Sequence, residues 1–284
     1  MAYDLPRVSV CIPVYNRAVL VRETLRSVLA QDYPRLEILV QDNASDDGTA
    51  EVLAEFAGDH PQIAVQRNTE LIGMIPNYNR VFARAQGDLV LLLSSDDLLE
   101  PGFLRVCVEA LRDPEIDVVT AGYYWLESGR KTPRIPKVPG GLYRGALGMV
   151  LRENPFNLCV SLFRRSLLER LSRRGKLFRE RLFTGDYDLW LRVAAAGAGL
   201  LYRDDVLGGC FRLHPGNISK GNRRMYRHTN LTVLANRAAL RQQCPCAYRY
   251  KLARILTHNL RDWVRGRPVD RHLNRAVTLA LLER

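Results

Sequence analysis

The sequence predicts an α/β fold built around a mostly parallel, doubly wound sheet, followed by a helical, basic C-terminal region. Two observations lead to this prediction. Over the first 95 residues, apolar β-branched segments alternate with segments of helical periodicity in the order β-α-β-α-β-α-β. Such alternation is typical of parallel sheets with crossover helices. The last quarter of the chain has helical patterns alone and carries the excess of positive charge.

Each predicted strand is a short apolar run that ends in polar or turn-forming residues. In the first part of the chain, the predicted strands cover residues 7–15, 36–42, 62–67 and 89–93, and the predicted helices cover 17–30, 49–57 and 76–85. Beyond these we predict a helix at 102–112, a strand at 117–126, a basic surface loop at 127–141, helices at 146–152, 166–174 and 184–197, an apolar segment at 156–164 and a strand at 199–213. Residues 222–284 predict two or three basic helices.

The length and composition indicate an ordinary globular chain. Its 284 residues suit one large α/β domain with an appendage, or two small domains, and 47% are hydrophobic and 25% charged. No apolar run approaches the roughly 20 residues of a membrane span. The start of the chain, MAYDLPRVSV, lacks the pattern of a signal peptide. The six cysteines have no zinc-like spacing, so we expect reduced thiols in a cytosolic protein.

The net charge of +12 is unevenly distributed along the chain. From Lys220 to the end there are fifteen Lys or Arg residues against three Asp or Glu, whereas the first 219 residues carry 27 of each sign. This asymmetry predicts contact with an anionic surface, such as a membrane, a nucleic acid or a phosphate-bearing substrate. A solvated helical face explains the same charge equally well, and the sequence leaves both readings open.

Carboxylates follow two of the predicted strands. Asp96 and Asp97 come just after the strand at 89–93, and Asp42 ends the strand at 36–42. In doubly wound sheets ligands bind beyond the carboxyl ends of the strands. One aspartate would suffice to cap a helix, whereas a pair together with Asp42 favours Mg²⁺ or Mn²⁺ and a phosphate-bearing ligand. Two adjacent like charges also require a positive partner nearby.

The turn after the first strand argues against two common nucleotide-binding classes. It contains PVYNR in place of GxGxxG, and the chain has no GxxxxGK[ST]. A nucleotide would therefore be held by side chains and a metal. This weakens the dehydrogenase and P-loop interpretations.

Several blocks together resemble family 2 glycosyltransferases, which are inverting enzymes with the A-type glycosyltransferase fold. The resemblance begins with VSVCIPVYNRAVLVRETLRSVLAQDYPRLEILVQDNASDDGT and continues through NYNRVFARAQGDLVLLLSSDDLLEPGFL. It resumes at LFRRSLLERL, FTGDYDLWLRVAAAG and FRLHPGNIS, and covers roughly residues 6–220. Each block alone is weak evidence, but the combination is specific.

The resemblance implies a donor pocket at the first two strand ends. Pro13 and Tyr15 would line the base and ribose pocket, although plain packing explains Tyr15 nearly as well. Asp42 would accept a hydrogen bond from the base. Asn43 and Asn79 are weaker candidates for the same pocket.

The adjacent aspartates occupy the family's DXD position. The resemblance implies that Asp97 is a metal ligand and that Asp96 contacts the ribose or a metal-bound water. The family often has an aspartate two residues before this pair, where this chain has Ser94. Two acidic groups remain, so we still expect a divalent metal, Mn²⁺ or Mg²⁺.

The resemblance also implies catalytic roles near the end of the matched region. Asp186 matches the general base, although the family's preceding glutamate is Gly185 here, and a helix cap is the alternative. Arg212 and His214 match a loop that closes over the diphosphate or the metal, with a plain polar loop as the alternative for His214. Asp188 fits a structural role or an acceptor contact.

These inferences predict a metal-dependent inverting glycosyltransferase that moves a sugar from a nucleoside-diphosphate sugar to a hydroxyl of a glycan or lipid-linked saccharide. UDP is the first choice of donor nucleotide, and the alternatives stay open because Asp42 could pair with uracil, thymine or guanine. The catalytic domain would cover residues 1–220, with a nucleotide-binding half at 1–100 and an acceptor-binding half at 101–220. Residues 221–284 would form the basic helical extension, which could bring a cytoplasmic enzyme to an anionic membrane surface. The alternatives are a sugar-nucleotide pyrophosphorylase, or a basic scaffold protein that binds nucleic acid. We expect no nucleic-acid partner, and the sequence leaves the oligomeric state open.

Overall fold

The computed structural model describes residues 5–217, 223–265 and 269–282, and only the backbone of Arg223 and Arg224. The chain forms two compact units. The first unit comprises Met1–Arg144, Phe156–Glu180 and Ala198–Asn217, and the second comprises Gly145–Pro155, Arg181–Gly197 and Ile218–Arg284. The predicted boundary at residue 220 separates a catalytic domain from a basic extension. It assigns a function to each part, and this assignment stays a prediction.

The elements alternate as strand and helix along the first part of the chain. In chain order they are β1 (Val8–Val14), α1 (Ala18–Leu29), β2 (Leu36–Asp42), α2 (Thr49–Asp59), β3 (Ile63–Arg67), α3 (Met74–Phe82), β4 (Leu89–Leu92), β5 (Leu98–Leu99), α4 (Phe103–Ala110), β6 (Val118–Glu127), β7 (Arg130–Arg134) and β8 (Gly141–Tyr143). The rest of the chain contains α5 (Leu147–Arg152), a 3₁₀ turn (Leu158–Val160), β9 (Ser161–Arg164), α6 (Arg165–Leu171), α7 (Gly185–Ala195), β10 (Leu200–Leu213), α8 (Arg223–Ala235), α9 (Arg237–Gln243), α10 (Pro245–Val264) and α11 (Arg271–Leu282).

The parallel half of the sheet confirms the predicted fold class. Strands β3, β2, β1 and β4 lie side by side in that order and run parallel. All seven residues of β1 are buried, because helices cover both faces of such a sheet. The register pairs Val14 with Asp42, so the ends of β1 and β2 lie at one edge of the sheet.

The other half of the sheet is mixed. Strand β9 lies antiparallel between β4 and β6, while β10 runs parallel to β6 and antiparallel to β5. The sequence predicted an apolar segment at 156–164 but no strand direction, because a four-residue apolar run carries no directional signal.

The predicted surface loop at 127–141 was wrong in part. Residues Arg130–Arg134 form β7, which pairs with β6 as an antiparallel hairpin. All five residues of β7 are exposed, and Pro133 lies among them. A strand without a buried face has no apolar alternation, and proline is confined largely to edge strands, so the pattern concealed β7.

Helices dominate the second unit. Among the residues that the structure describes after position 222 there are four helices, α8–α11, where the sequence predicted two or three. Asp188 of α7 is fully buried, and its carboxylate accepts hydrogen bonds from Arg192 Nε at 2.8 Å and Asn236 Nδ2 at 2.9 Å. These bonds support the structural role for Asp188.

Two further observations concern the environment of the chain. All six cysteines are free thiols, and Cys11, Cys107, Cys159 and Cys210 are buried. Within the described ranges, no helix combines the length and the apolar character that crossing a bilayer requires.

Candidate functional site

The parallel strands bring polar side chains to one edge of the first unit. Strands β2 and β4 flank β1, and all three run in the same direction. Tyr15 therefore follows the central strand, Asp42 ends one neighbour, and Asp96 and Asp97 follow the other. The topology brings to one edge the residues that the sequence placed at strand ends.

Asp97 is a buried carboxylate with one oxygen unsatisfied. Its side chain is 1% exposed, and Oδ1 accepts a hydrogen bond from the backbone N–H of Arg212 at 2.9 Å. The Oδ2 atom is buried and has no hydrogen-bond partner. Burial raises the pKa of Asp97 to about 7, and the negative charge of Asp96 adds to the rise, while the Cys159 thiol and the Arg212 N–H oppose it. A cation would stabilise the ionised form of this group.

Asp96 has the positive neighbours that the sequence required. Its Oδ2 atom lies 3.0 Å from Nε2 of His214 and 3.8 Å from Nε of Arg17. Arg212 Nε donates to the backbone carbonyl of Asp96 at 2.9 Å, and Arg212 also pairs with Glu23 at 2.6 Å. The two arginines therefore offset the repulsion between the adjacent carboxylates.

The loop after β10 fixes the orientation of the His214 ring. The backbone N–H of Gly216 donates to Nδ1 at 3.1 Å, so the proton of the neutral ring resides on Nε2 and points to Asp96. Asn217 closes the loop by donating from Nδ2 to the Arg212 carbonyl at 3.0 Å and accepting from the His214 N–H. In this arrangement His214 is a hydrogen-bond donor to Asp96. Its predicted role as a metal ligand requires Nε2 to lose that proton, and it stays a prediction.

Asp42 is held in place but keeps acceptor capacity. It is 1% exposed, and Oδ1 accepts from the backbone N–H of Ser45 at 3.1 Å and from its hydroxyl at 2.5 Å. The Oδ2 atom lies 3.1 Å from Nη1 of Arg67, yet the two groups are not aligned as a hydrogen bond. This buried oxygen thus has no hydrogen-bond partner in the described structure, and its role as an acceptor for a nucleotide base stays a prediction.

Pro13 and Tyr15 differ in their surroundings. Pro13 is buried in β1 opposite Gln41, whereas Tyr15 lies beyond the strand and is 41% exposed. Asn16 has a positive φ of 50°, and its side chain bonds to Asp46 at 2.7 Å, which turns the chain sharply after Tyr15. The Tyr15 ring is therefore accessible to a ligand, and its stacking role remains a prediction.

The two asparagine candidates have protein partners. Asn79 donates to the carbonyl of Phe178 at 2.9 Å and accepts from its N–H at 2.7 Å. Asn43 makes the same double contact with Ile72, at 2.8 and 3.0 Å. These bonds position loops around the sheet edge, and the structure does not bring the Asn79 side chain into hydrogen-bond contact with Asp96 or Asp97.

Asp186 lies in the first turn of α7, in the second unit. The residue is exposed. Desolvation of its carboxyl group raises the pKa of Asp186 above the ordinary value, and hydrogen bonds from the backbone N–H groups of Asp186 and Tyr187 oppose that rise. Thr184 occupies the N-cap position without a side-chain cap bond. A raised pKa suits a general base, and the role stays a prediction.

The residues at the sheet edge fit a divalent metal only in part. Across the described ranges, no group of three or more His, Cys, Asp or Glu side chains is arranged to hold a metal ion. Mg²⁺, however, is usually bound by one or two carboxylates together with substrate phosphates and water. The unsatisfied Oδ2 of Asp97 beside Asp96 suits that mode of binding.

Sequence reasoning missed three residues at this edge. Arg17 and Glu23 lie on or just before α1, and Cys159 precedes β9, so all are distant in sequence from Asp96 and Asp97. Arg17 alone had a sequence signal, since it follows Asn16 in the turn after the first strand. The other two contacts arise from the tertiary fold.

Comparison with known proteins decides the family. A family model described as Glycosyl transferase family 2 matches residues 9–172, which is more than half of the chain. The chain belongs to glycosyl transferase family 2. It thus carries a glycosyltransferase domain, as the sequence blocks predicted.

Proteins of similar sequence match different shares of the chain. A GalNAc(5)-diNAcBac-PP-undecaprenol beta-1,3-glucosyltransferase from Campylobacter jejuni is 26% identical over 266 residues, covering 90% of this chain and 76% of that protein. An uncharacterized protein from Mycobacterium tuberculosis is 34% identical over 116 residues, 41% of this chain. The chain spans only 36% of the length of the latter protein.

Solved structures show the same fold. S. aureus TarS in complex with UDP-GlcNAc superposes with a TM-score of 0.71 at 18% identity, covering 97% of this chain and 79% of that one. A mannosyltransferase from Pyrobaculum calidifontis in complex with GDP-Man and Mn²⁺ gives a TM-score of 0.63 at 22% identity, covering 98% and 74%. At these identities the likeness establishes the A-type glycosyltransferase fold.

Proposed function

We propose that the chain transfers a sugar from a UDP-linked donor to a hydroxyl of a glycan or lipid-linked saccharide, with Mn²⁺ or Mg²⁺ and with inversion at the anomeric carbon. The observation that carries this proposal is the buried, unsatisfied Oδ2 of Asp97 beside Asp96 at the edge of the sheet. Family membership and the bound nucleotide sugars of the two structural neighbours support it.

Asp97 and Asp96 would hold the metal, with His214 as a further candidate ligand. A bound divalent cation would neutralise the charge that develops on the diphosphate leaving group. The Mn²⁺ in the mannosyltransferase from P. calidifontis supports a metal of this kind. Arg212 and Arg17 already lie against Asp96 and would add positive charge near the same group.

Asp42 would orient the base of the donor. Its Oδ2 can accept from the N–H of uracil, and the exposed Tyr15 ring can stack on the base above the buried Pro13. Thymine and guanine carry an N–H of the same kind, and the neighbour from P. calidifontis binds GDP-Man. The UDP-GlcNAc complex of S. aureus TarS supports UDP as the first choice.

Asp186 would take the proton of the acceptor hydroxyl. A raised pKa makes its carboxylate a better proton acceptor near neutral pH. One displacement by the activated hydroxyl then inverts the anomeric centre. This assignment follows from the match of residues 183–197 to the family pattern.

The proposed acceptor class is supported by the names of related proteins. The name of the C. jejuni enzyme describes a lipid-linked saccharide as its acceptor. The rival activity, a sugar-nucleotide pyrophosphorylase, loses its support because the family model matches a glycosyltransferase domain. The basic C-terminal helices remain the only support for the nucleic-acid scaffold.

The end of α10 supports peripheral binding to an anionic membrane. Leu260, Trp263 and Val264 are 58%, 65% and 73% exposed and lie within one helical turn of each other. The exposed cations Arg261 and Arg265 flank them. Aromatic and apolar side chains beside arginines suit the interface of an anionic bilayer. Sedimentation with phosphatidylglycerol vesicles tests this: absence of binding at moderate salt, or equal binding by Trp263→Ala, would contradict it.

A thermal-shift screen of nucleoside diphosphates and their sugars, with and without Mn²⁺, tests the donor site. Ligands that bind the native state raise its melting temperature. We expect UDP to stabilise the protein in a Mn²⁺-dependent way, and Asp97→Asn to abolish the effect. Asp59→Asn, which alters an exposed aspartate at the end of α2, is the matched control. No shift with any nucleotide would contradict the proposal.

A further inference from the structure

The β6–β7 hairpin of the first unit presents an aromatic face. Strand register pairs Tyr123 with Arg134 and Trp125 with Thr132, so alternation puts all four on the same side of the hairpin. In the neighbouring strand β10, Phe211 pairs with Trp125 and makes an edge contact with Tyr123 at 6.4 Å between ring centroids. Three rings thus form one patch, called here the aromatic platform.

Arg134 covers part of this platform. Its guanidinium carbon lies 3.2 Å from the centroid of the Trp125 ring, and the residue is exposed. None of the carboxylates in the described ranges forms an ion pair with it, so its N–H groups are available to an anion. A guanidinium stacked on an aromatic ring is pre-organised for bidentate binding of phosphate or carboxylate oxygens.

The opposite face anchors the hairpin. Lys131 lies 5.3 Å above the ring of Tyr124 and forms an ion pair with Glu100. The Cys210 thiol donates to the same Glu100 carboxylate at 3.2 Å. These contacts fix the hairpin from one side, while Tyr123, Trp125 and Phe211 on its other side are partly exposed.

The platform adjoins the buried carboxylate. Phe211 directly precedes Arg212, whose N–H binds Asp97. Burial raises the pKa of Tyr123, and the negative charge of Asp97 adds to the rise while Arg134 opposes it. A molecule on the platform would thus lie close to the proposed donor site.

The charge around the platform favours a strongly anionic ligand. Residues 127–141 contain four cations, Arg130, Lys131, Arg134 and Lys137, against one anion, Glu127. Lys131 is paired with Glu100, and Glu127 lies opposite Arg130 in the strand register, so a net charge of +2 remains. A single carboxylate would match this charge poorly, whereas a diphosphate would match it well.

We propose that Tyr123, Trp125, Phe211 and Arg134 form an acceptor subsite that selects a saccharide joined to a diphosphate. This inference rests on the proposed function and names its acceptor class. A sugar ring packs its C–H face against the partly exposed Tyr123 and Phe211 rings, and Arg134, which covers Trp125, binds the diphosphate oxygens. The subsite needs no change in the arrangement of Asp96 and Asp97.

Fluorescence titration of the full chain tests the subsite. In the Trp263→Phe background, Trp125 is partly exposed and Trp190 fully buried, so ligand-dependent changes report on Trp125. The protein is first saturated with UDP and Mn²⁺, which occupies the donor site. It is then titrated with N-acetylglucosaminyl diphosphoryl farnesol, with octyl N-acetylglucosaminide, which lacks the diphosphate, and with a glucuronate-containing tetrasaccharide.

We expect saturable quenching by the diphosphate-linked saccharide alone. Arg134→Gln should weaken it at least tenfold, and Thr132→Glu, which adds a negative charge at an exposed position beside Trp125 in the strand register, should do the same. Arg105→Gln removes an exposed cation on α4 that pairs with Asp32, and should leave the Kd within twofold. Equal effects of Arg134→Gln and Arg105→Gln would overturn the subsite.

The remaining outcomes separate the two proposals. If UDP binds with Mn²⁺ but the diphosphate-linked saccharide does not, the subsite is overturned and the proposed function stands. If the glucuronate tetrasaccharide binds more tightly than the diphosphate-linked saccharide, the proposal that the acceptor carries a diphosphate is overturned. If UDP itself does not bind, the proposed function fails, and the inference fails with it.

Discussion

The backbone N–H of Arg212 donates to Oδ1 of Asp97 at 2.9 Å and fixes a buried carboxylate whose second oxygen has no partner. Such a group costs stability in the absence of a ligand, because an ionised carboxylate loses its hydration on burial. The cation that we propose at this site would offset that cost. This arrangement links the fold of the first unit to the proposed chemistry.

Asp97→Asn should raise the melting temperature of the metal-free protein at pH 8 by about 2–4 °C. The pKa of Asp97 is raised from 3.8 to about 7 in the folded state. Between these values the native state holds a proton that the unfolded chain releases, so stability falls as pH rises through this range. The gain from Asn should shrink towards pH 4. Calorimetry at several pH values measures it, and equal melting temperatures at pH 8 would contradict the prediction.

His214→Ala should lower the transfer rate with little loss of stability. The mutation removes the Nε2 donor to Asp96, whose carboxylate would then be free to turn away from the metal position. We expect kcat/KM to fall roughly 10- to 100-fold, the range seen when a group that orients a metal ligand is removed. His272→Ala, an exposed histidine on α11, serves as control. Unchanged kinetics would show that His214 is only a loop residue.

Asp186→Asn should lower turnover strongly while leaving donor binding intact. Loss of a general base costs about 10²–10⁴ in kcat. Because the pKa of Asp186 is raised, the wild-type rate should increase with pH up to a value above the ordinary range of aspartate. Steady-state rates across pH 4–9, with UDP affinity measured separately, test both points. A loss of UDP affinity equal to the loss of rate would contradict the assignment.

Asp188→Ala should destabilise the second unit by about 3–5 kcal/mol, because it leaves the Arg192 guanidinium without its buried carboxylate partner. The exposed pair of Arg203 and Asp205 has the same chemistry, and Asp205→Ala should cost less than about 1 kcal/mol. Urea unfolding gives both values. Similar costs for the two variants would show that burial does not matter here.

The sequence predicted the parallel half of the fold well, because β1, β2 and β4 are short, mostly apolar runs separated by segments of helical periodicity. It also placed Asp42, Asp96 and Asp97 after strands that run in the same direction, which brings them to one edge of the sheet, and their binding roles stay predictions. It did not reveal the direction of β9 or the exposed strand β7, whose residues carry no alternating apolar pattern.

The partners of the site residues were not predictable from the sequence. Arg17 reaches Asp96 from a position 79 residues away in the chain, and the Nδ1 contact that orients His214 depends on a loop conformation. Periodicity specifies the elements but not which side chains meet across them. The unsatisfied oxygen of Asp97 is likewise a property of tertiary packing.

Binding of Mn²⁺ tests the central claim most directly. The sharp electron paramagnetic resonance signal of free Mn²⁺ disappears when the ion binds protein, so its loss can be titrated with and without UDP. We predict that wild-type protein with UDP removes one equivalent of the free signal, and that Asp97→Asn removes none while Asp59→Asn behaves as wild type. Equal Mn²⁺ binding by wild type and Asp97→Asn would contradict the assignment of Asp97 as the metal ligand.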